Sequence, residues 1–76
     1  MKHYIEVPSI DVIKDGKTIS SIECTCISKA MVAFESMQEL SNKLNADIMI
    51  ISNKGIVKCT TMNLYALFNK VITLLN

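Results

Sequence analysis

The chain contains no arginine and no tryptophan, and only one histidine, one proline and two glycines among its 76 residues. Its positive charge comes from eight scattered lysines, and the formal net charge is +1. Proteins that bind nucleic acids usually carry a basic stripe with arginine, because the planar guanidinium fits phosphates and guanine edges. The sequence therefore predicts no nucleic-acid partner.

Catalytic motifs are equally scarce. His3 is the only histidine, so a Ser–His–Asp or Cys–His couple has little support, and we expect His3 to be a solvated surface residue. Both glycines lie in turn-like sequences, which leaves no glycine-rich loop to bind phosphate. The carboxylates are spread along the chain without an obvious pair. We therefore expect a protein that is not an enzyme and has no cofactor.

Long apolar segments are also missing, although half of the residues are hydrophobic. No apolar run approaches the roughly 20 residues of a membrane span, and no helix pairs an apolar face with a lysine-rich one. Glu6 stands where a secretion signal would begin its apolar core. We expect no membrane partner and a cytoplasmic location. The length is that of one small domain, which we assign to residues 1–76.

Three cysteines, Cys24, Cys26 and Cys59, are an odd number, and we expect them to be reduced. On a strand, Cys24 and Cys26 would face the same side. Cys59 could supply a third metal ligand, but a structural zinc site needs about four. We therefore expect thiols that pack in the core and no metal, with a thiol or metal site as the alternative.

The first third of the chain predicts two strands. Ile5–Ile13 has alternating apolar residues, but the alternation changes phase around Pro8, which indicates a bulge or break on an edge strand. Lys14–Lys17 contains Asp-Gly, a signal for a tight hairpin turn. Thr18–Ile27 is the second predicted strand, and its buried face comprises Ile22, Cys24 and Cys26.

The middle of the chain predicts a helix and a second hairpin. Ser28–Leu44 reads as a helix with Ser28 as its N-cap. Its apolar stripe consists of Ala30, Ala33, Phe34, Met37, Leu40 and Leu44. A strand at Ala46–Ser52, a turn at Ser52–Gly55 and a return strand at Ile56–Cys59 follow.

The last segment predicts a second helix with an unusually wide apolar arc. Thr60 or Thr61 would cap it, and it would run to about Leu75. Because a helix N-terminus stabilises anions, these two threonines are also candidate phosphoacceptors. The arc exceeds what one small sheet can cover, so we expect a homodimer. The predicted interaction surface consists of Leu64, Tyr65, Phe68, Ile72 and Leu75.

The order of these elements is β-β-α-β-β-α. It predicts an α+β two-layer sandwich in which a four-stranded antiparallel sheet carries two helices on one face. Alternation of apolar and polar residues within the strands predicts a second sheet face that is wet.

Four segments between Ser28 and about Leu67 match the pattern of a known family. They are a helix that opens after a strand at Ser28–Phe34, the apolar strand Ala46–Ile51, the turn Asn53–Gly55, and Val57–Met62 followed by a helix. In these features the chain resembles the phosphocarrier HPr family. The last segment corresponds to a turn of the form A-K-S-I-M in that family.

The resemblance implies an HPr-like sandwich but not phosphocarrier activity. The family's phosphoryl-accepting histidine lies at the start of the first helix in an H-x-R-P-A context, and Ser28–Ala33 has no histidine, arginine or proline. The family's regulatory serine falls near Thr61, or at Thr60 with a one-residue shift. A hydroxyl is therefore retained there, as in the catabolite-repression relatives that lack the histidine.

The topology departs from the family in one respect. The family has one strand before its first helix and ends with a further strand and helix, whereas this chain has an extra strand at Ile5–Ile13 and ends after its second helix. A circular permutation would put this extra strand in the place of the family's last strand. The family's third helix then has no counterpart, and a longer last helix or a second chain would fill the uncovered sheet surface.

Three functions follow from these features. The first is a non-catalytic HPr-like regulatory module that acts by protein–protein interaction, for example a prophage-encoded regulator or inhibitor. The second is a phosphocarrier of the sugar phosphotransferase system or a kinase-regulated HPr relative. In that case the phosphoryl group would be carried by His3, if by any histidine, or by Thr60 or Thr61. The third is a small thiol- or metal-binding protein that uses Cys24, Cys26 and Cys59.

Overall fold

A computed structural model describes residues 7–75 of the chain. The expectations for His3 and Ile5 fall on residues that lie outside this described range. The described elements are β1 (Ser9–Lys14), β2 (Lys17–Glu23), α1 (Ile27–Leu44), β3 (Asp47–Ser52), β4 (Gly55–Lys58) and α2 (Leu64–Leu75). They form a four-stranded antiparallel sheet and two helices, which confirms the predicted fold class and element order.

The strand order is β2-β1-β3-β4, so β1 lies in the centre of the sheet. The prediction that Pro8 sits in an edge strand is therefore wrong. The strand begins at Ser9, after the proline, and Pro8 contributes only its carbonyl, which accepts a hydrogen bond from the Cys24 N–H at 2.8 Å. A proline at this position removes no N–H from the central strand.

The irregularity in the first hairpin lies on β2 instead. Val12 pairs with Ser20 and Ile13 pairs with Thr18, so Ile19 is an extra residue, as in a β-bulge. The turn matches the prediction, because Asp15 and Gly16 both have positive φ, at 53° and 78°. Two consecutive positive values characterise the tight turn that suits a twisted hairpin.

β2 is shorter than predicted, and this changes the position of two cysteines. The strand ends at Glu23 rather than Ile27, so the alternation of its faces does not continue to Cys26. Cys24 is buried but Cys26 is exposed, and the prediction that both share a buried face is wrong for Cys26. Only the residues between Glu23 and Ile27 remain to connect the strand to α1.

α1 begins one residue before the predicted helix. Cys26 occupies the N-cap position in extended conformation, and Ser28 already lies inside the helix, so the N-cap prediction for Ser28 is wrong. The helix ends at Asn45, which adopts the left-handed conformation with φ of 56°. Ser41, which is buried, then donates a hydrogen bond to the Ala46 carbonyl at 2.6 Å and ties the helix end to β3.

α2 begins later than predicted, and neither Thr60 nor Thr61 caps it. Its first residue is Leu64, and Asn63 acts as the cap because its Oδ1 accepts a hydrogen bond from the Ala66 N–H at 2.8 Å. The sequence analysis named only Thr60 and Thr61 as candidate caps and did not consider Asn63. Because the helix begins at Leu64, Thr60 and Thr61 do not lie at its N-terminus.

The core lies between the sheet and both helices. Central strands supply Ile10, Val12, Ile48 and Ile50, and the helices supply Phe34, Leu67 and Val71, all of which are essentially inaccessible. Cys24 and Cys59 are buried in the same cluster. α1 contacts β1, β2 and β3, and α2 packs beside α1.

The second sheet face is less polar than predicted. It carries Ile13, Met49 and Ile51, which are half-buried, and Ile56, which is 67% exposed. Asp11 lies among them at 8% exposure and accepts a hydrogen bond from the Ser21 hydroxyl at 2.7 Å. No helix within residues 7–75 has the length and apolar character needed to cross a bilayer.

Candidate functional site

An open groove lies between strand β2 and helix α1. Its volume is about 710 Å³. β2 contributes Ser20, Ser21 and Ile22, and α1 contributes Ser28, Lys29, Val32, Ala33, Ser36 and Met37. α1 contacts β1, β2 and β3, and α2 packs against α1. The groove lies where the edge strand β2 meets the N-terminal half of α1.

The β2 side of the groove is a strand edge that has no partner strand among residues 7–75. Alternate residues of an antiparallel pair exchange both backbone hydrogen bonds, and the residues between them direct their N–H and C=O groups away from the partner strand. Since Cys24 bonds to Pro8 and Ile22 pairs with Ile10 two residues along, the main-chain groups of Ser21 and Glu23 point away from β1. Ser21 directs its hydroxyl to Asp11 on the sheet face opposite the helices.

The α1 side of the groove combines apolar and small side chains with one positive charge. Val32 is 66% exposed and presents apolar surface to the groove. Ser28, Ala33 and Ser36 are small and leave room beside it. Lys29 is the only charged residue of the lining, and the one ion pair found within residues 7–75 joins Lys58 and Asp47. The groove therefore has an apolar wall and an uncompensated cation.

The predicted interaction surface on α2 is divided by the structure. Tyr65 and Phe68 are exposed, at 75% and 37%, and Ile72 is half-buried on the same side of the helix. Leu64 instead packs against the core cluster. The side chain of Leu75 lies outside the described part of the chain. Three of the five residues, Tyr65, Phe68 and Ile72, therefore form a narrow convex stripe.

Thr60 and Thr61, the candidate phosphoacceptors, differ sharply in environment. The Thr60 hydroxyl accepts a hydrogen bond from the Ile48 N–H at 2.9 Å and donates one to Asp47 Oδ1 at 3.3 Å. Lys58 Nζ lies 3.6 Å from the same carboxylate oxygen. Thr61 is exposed in the turn that follows. Thr60 thus has a structural role, because it joins the segment after β4 to the start of β3. Of the two threonines, Thr61 is the exposed one.

The three thiols form two classes. Desolvation by burial raises the pKa of Cys24 to about 11 and that of Cys59 to about 12, and the nearby Asp11 adds to the shift at Cys24. Cys26 is fully exposed at the start of α1. A hydrogen bond with the Ser28 hydroxyl, whose oxygen lies 3.4 Å from the sulfur, is the main reason that its pKa is lowered. The three sulfurs do not form one site.

Potential metal ligands are dispersed over the described part of the chain. Within residues 7–75, no group of three or more histidine, cysteine, aspartate or glutamate side chains comes together. Exposure separates Cys26 from the two buried thiols, which the C-x-C spacing does not reveal.

The groove was not predicted from the sequence. The only local signal was that Val32 lies off the apolar stripe of its helix, and an isolated exposed valine is common. The free edge of β2 depends on the strand order, which hydrophobic periodicity does not determine. In comparisons with known proteins, no family model matches the chain, and no curated protein or solved structure is significantly similar to it.

Proposed function

We propose that this protein is a small regulatory module that binds a protein partner in the groove between β2 and α1 and catalyses no reaction. The observation that supports this proposal is the groove itself, in which an exposed apolar wall faces an unpaired strand edge. Exposed apolar surface next to free backbone groups is a feature of peptide-binding surfaces. The groove lining contains no histidine, cysteine or carboxylate.

The proposal includes a distant relationship to the HPr family without its phosphocarrier activity. The β-β-α-β-β-α order and the helix that opens directly after β2 support it. The start of the first helix, from Cys26 to Met31, contains no histidine and no arginine. A regulatory role through binding is therefore the part of the family's behaviour that these residues favour.

Site-specific photo-crosslinking tests the binding proposal directly. A photoreactive phenylalanine derivative at Val32 would line the groove, and the same group at Glu35 would lie on the exposed side of α1 outside the groove lining. We expect the Val32 derivative to capture one defined protein from a lysate of the source cells. Excess unlabelled wild-type protein should reduce this capture, whereas excess Val32→Glu variant should not. Equal capture from both positions, or capture from neither, would contradict the proposal.

The α2 stripe supports a second proposal, a homodimer. Tyr65 and Phe68 expose aromatic surface, and α2 carries no acidic residue in its first turn. The stripe is small compared with the roughly 800 Å² that each partner buries in a standard interface, so the dimer would be weak. Sedimentation at high micromolar concentration tests it, with Tyr65→Ser as the disrupting variant. A monomer at that concentration would rule the dimer out.

The exposed threonine supports the kinase-regulated alternative. Thr61 is accessible, whereas Thr60 is held by Ile48 and Asp47. A kinase that acts on this turn would therefore modify Thr61, and mass spectrometry of the protein after incubation with the regulatory HPr kinase would place a stable phosphate there. Phosphate on neither threonine would remove this alternative.

A further inference from the structure

We propose that the partner enters the groove as an extended segment that adds a fifth strand to β2 and places an acidic side chain near Lys29. This inference rests on the proposed function, since it specifies how the same groove is occupied. An added strand would gain backbone hydrogen bonds with the N–H and C=O groups of Ser21 and the N–H group of Glu23, which have no partner strand within residues 7–75.

The unpaired edge of β2 favours a strand over a helix as the occupant of the groove. Neighbouring strands lie about 4.8 Å apart, so a strand beside β2 occupies the space immediately next to the sheet edge. Its side chains would alternate between the groove and the opposite sheet face. Those that face the groove would meet Ile22 from the sheet and Val32 from α1. A helix in the same place would leave the N–H and C=O groups of Ser21 and the N–H group of Glu23 without a partner strand, whereas the Glu23 carbonyl already accepts a hydrogen bond from the Thr25 N–H at 3.2 Å.

Charge determines the chemistry of the segment. Lys29 is the only charged side chain in the groove lining and forms no ion pair within residues 7–75. A carboxylate on the partner would compensate it. Because residues two apart in a strand share a face, the groove side of the partner would read apolar, acidic, apolar at every second position.

A second copy of this chain fits the groove less well. If two β2 edges paired symmetrically, Lys29 from both copies would enter the shared groove, and like charges repel. The bulge at Ile19 also interrupts the regular edge beyond Ser21. Both features favour a different protein with a carboxylate as the occupant.

Backbone chemistry of a synthetic peptide separates strand addition from other modes of binding. The probe is a seven-residue peptide with blocked ends and the sequence Thr-Val-Thr-Glu-Thr-Val-Thr. A control peptide carries lysine for glutamate, and a second control is N-methylated at the alternate residues whose N–H groups would face β2. Amide hydrogen exchange of the full-length protein, followed by NMR, reports on Ser21 and Glu23.

Strand addition predicts that saturating acidic peptide slows exchange of the Ser21 and Glu23 amides by about tenfold or more, because exposed amides become hydrogen-bonded. The outward amides of Ile56 and Lys58 on the opposite edge should not change. The N-methylated peptide should give no protection. Binding of the acidic peptide without protection at Ser21 and Glu23 would overturn strand addition while leaving the proposed function intact.

Two protein variants test the assignment from the other side. Lys29→Glu should weaken the acidic peptide and strengthen the lysine peptide, each by about threefold or more, the size expected of exposed charge pairs. Glu23→Pro removes an outward N–H at the groove edge and should abolish protection at Ser21, whereas Ile56→Pro removes one at the other edge and should not. An unchanged charge preference in Lys29→Glu would overturn the acidic assignment, and that variant should fold normally because Lys29 is exposed.

The dependence of amide exchange on protein concentration tests whether a second copy of the chain occupies the groove. If Ser21 and Glu23 become protected as protein concentration rises without peptide, a second copy fills the groove and the proposal is overturned. If the peptide protects both amides but the Val32 crosslinker captures no protein from the lysate, the groove accepts strands but the proposed function fails. The two failures are therefore distinguishable.

Discussion

The protein consists of two β-β-α units that share one sheet, and the edge strand contributed by each unit differs. The first unit comprises β1, β2 and α1, and the second comprises β3, β4 and α2. Their central strands pair with each other, so β2 and β4 are the two edges. The β4 edge is short and followed by a junction fixed by hydrogen bonds, whereas the β2 edge is longer and borders a groove.

The cause of this difference is the placement of the helices. α1 has 18 residues and packs over three strands, because Phe34 and its neighbours must cover Ile10 and Ile48. α2 has 12 residues and is held against α1, where Gln38 Nε2 donates to the Met62 carbonyl at 3.1 Å. Both edges are uncovered within residues 7–75, but only the β2 edge borders the groove beside α1.

Phe34→Ala should have the largest effect and tests whether the two units share one core. Phe34 is fully buried, so the change should lower the free energy of unfolding by about 3–5 kcal/mol. Urea denaturation followed by circular dichroism measures it, and Val32→Ala is the exposed control. Two separate transitions in the variant would show that the units are independent.

The two hairpin turns should differ in their tolerance of a side chain. Gly55 has φ of 127°, which L-residues rarely adopt, so Gly55→Ala should cost about 1–3 kcal/mol in backbone strain. Gly16 has φ of 78°, closer to the left-handed region, and Gly16→Ala should cost about 1 kcal/mol. A methyl group added at either glycine would meet no atom within 4 Å, so packing does not contribute. Thermal unfolding compares them, and a reversed order would contradict this explanation.

Thr60→Val tests the junction of the second unit. The change removes hydrogen bonds to Ile48 and Asp47 and leaves a half-buried N–H unpaired, which should cost about 1–2 kcal/mol. Thr25 lies at the corresponding junction of the first unit and is exposed, so Thr25→Val is the matched control and should change stability by less than about 0.5 kcal/mol. Equal effects in a urea titration would contradict the contrast between the junctions.

Ionisation of the two buried thiols should not affect the free energy of unfolding at neutral pH and should lower it in alkali. The pKa values of Cys24 and Cys59 are raised from 9.0 to about 11 and about 12, so the folded state holds protons that the unfolded state loses. Stability should be complete below pH 9 and fall as pH rises through these values. A Cys24→Ala, Cys59→Ala variant should lose less stability over the same range.

Alkylation of the native protein provides the complementary measurement. Cys26 should react first, because it is exposed and its pKa is lowered, chiefly by the hydrogen bond with Ser28. Mass spectrometry should find one modified thiol per chain before unfolding and three after it. Rapid native labelling of Cys24 or Cys59 would show that one of the units opens locally.

The sequence predicted the element types well because each has a clear period. The stripe containing Phe34 and Met37 and the Asp-Gly turn both report local structure, and the fold class follows from their order. Element ends were less predictable. Cys26 and Asn63 act as caps in preference to neighbouring serine and threonine residues, because the paths of β2 and β4 determine where each helix can begin.

The candidate site depends on tertiary arrangement and could not be predicted in the same way. Whether the edge of β2 is free depends on the strand order, and whether Val32 borders a groove depends on where α1 lies over the sheet. Neither leaves a periodic signal. Of the interaction surface predicted on α2, Tyr65 and Phe68 are exposed and Leu64 packs against the core, and the interaction itself stays a prediction.

The extra residue at Ile19 has a consequence for solubility. Flat, regular strand edges allow identical chains to pair edge to edge and form fibres, and a bulge in the edge strand is one of the features that prevent this pairing. Here the bulge leaves only the short run from Ser20 to Glu23 in regular register. The edge is therefore long enough to bind a short peptide segment but too short for identical chains to pair along it and polymerise.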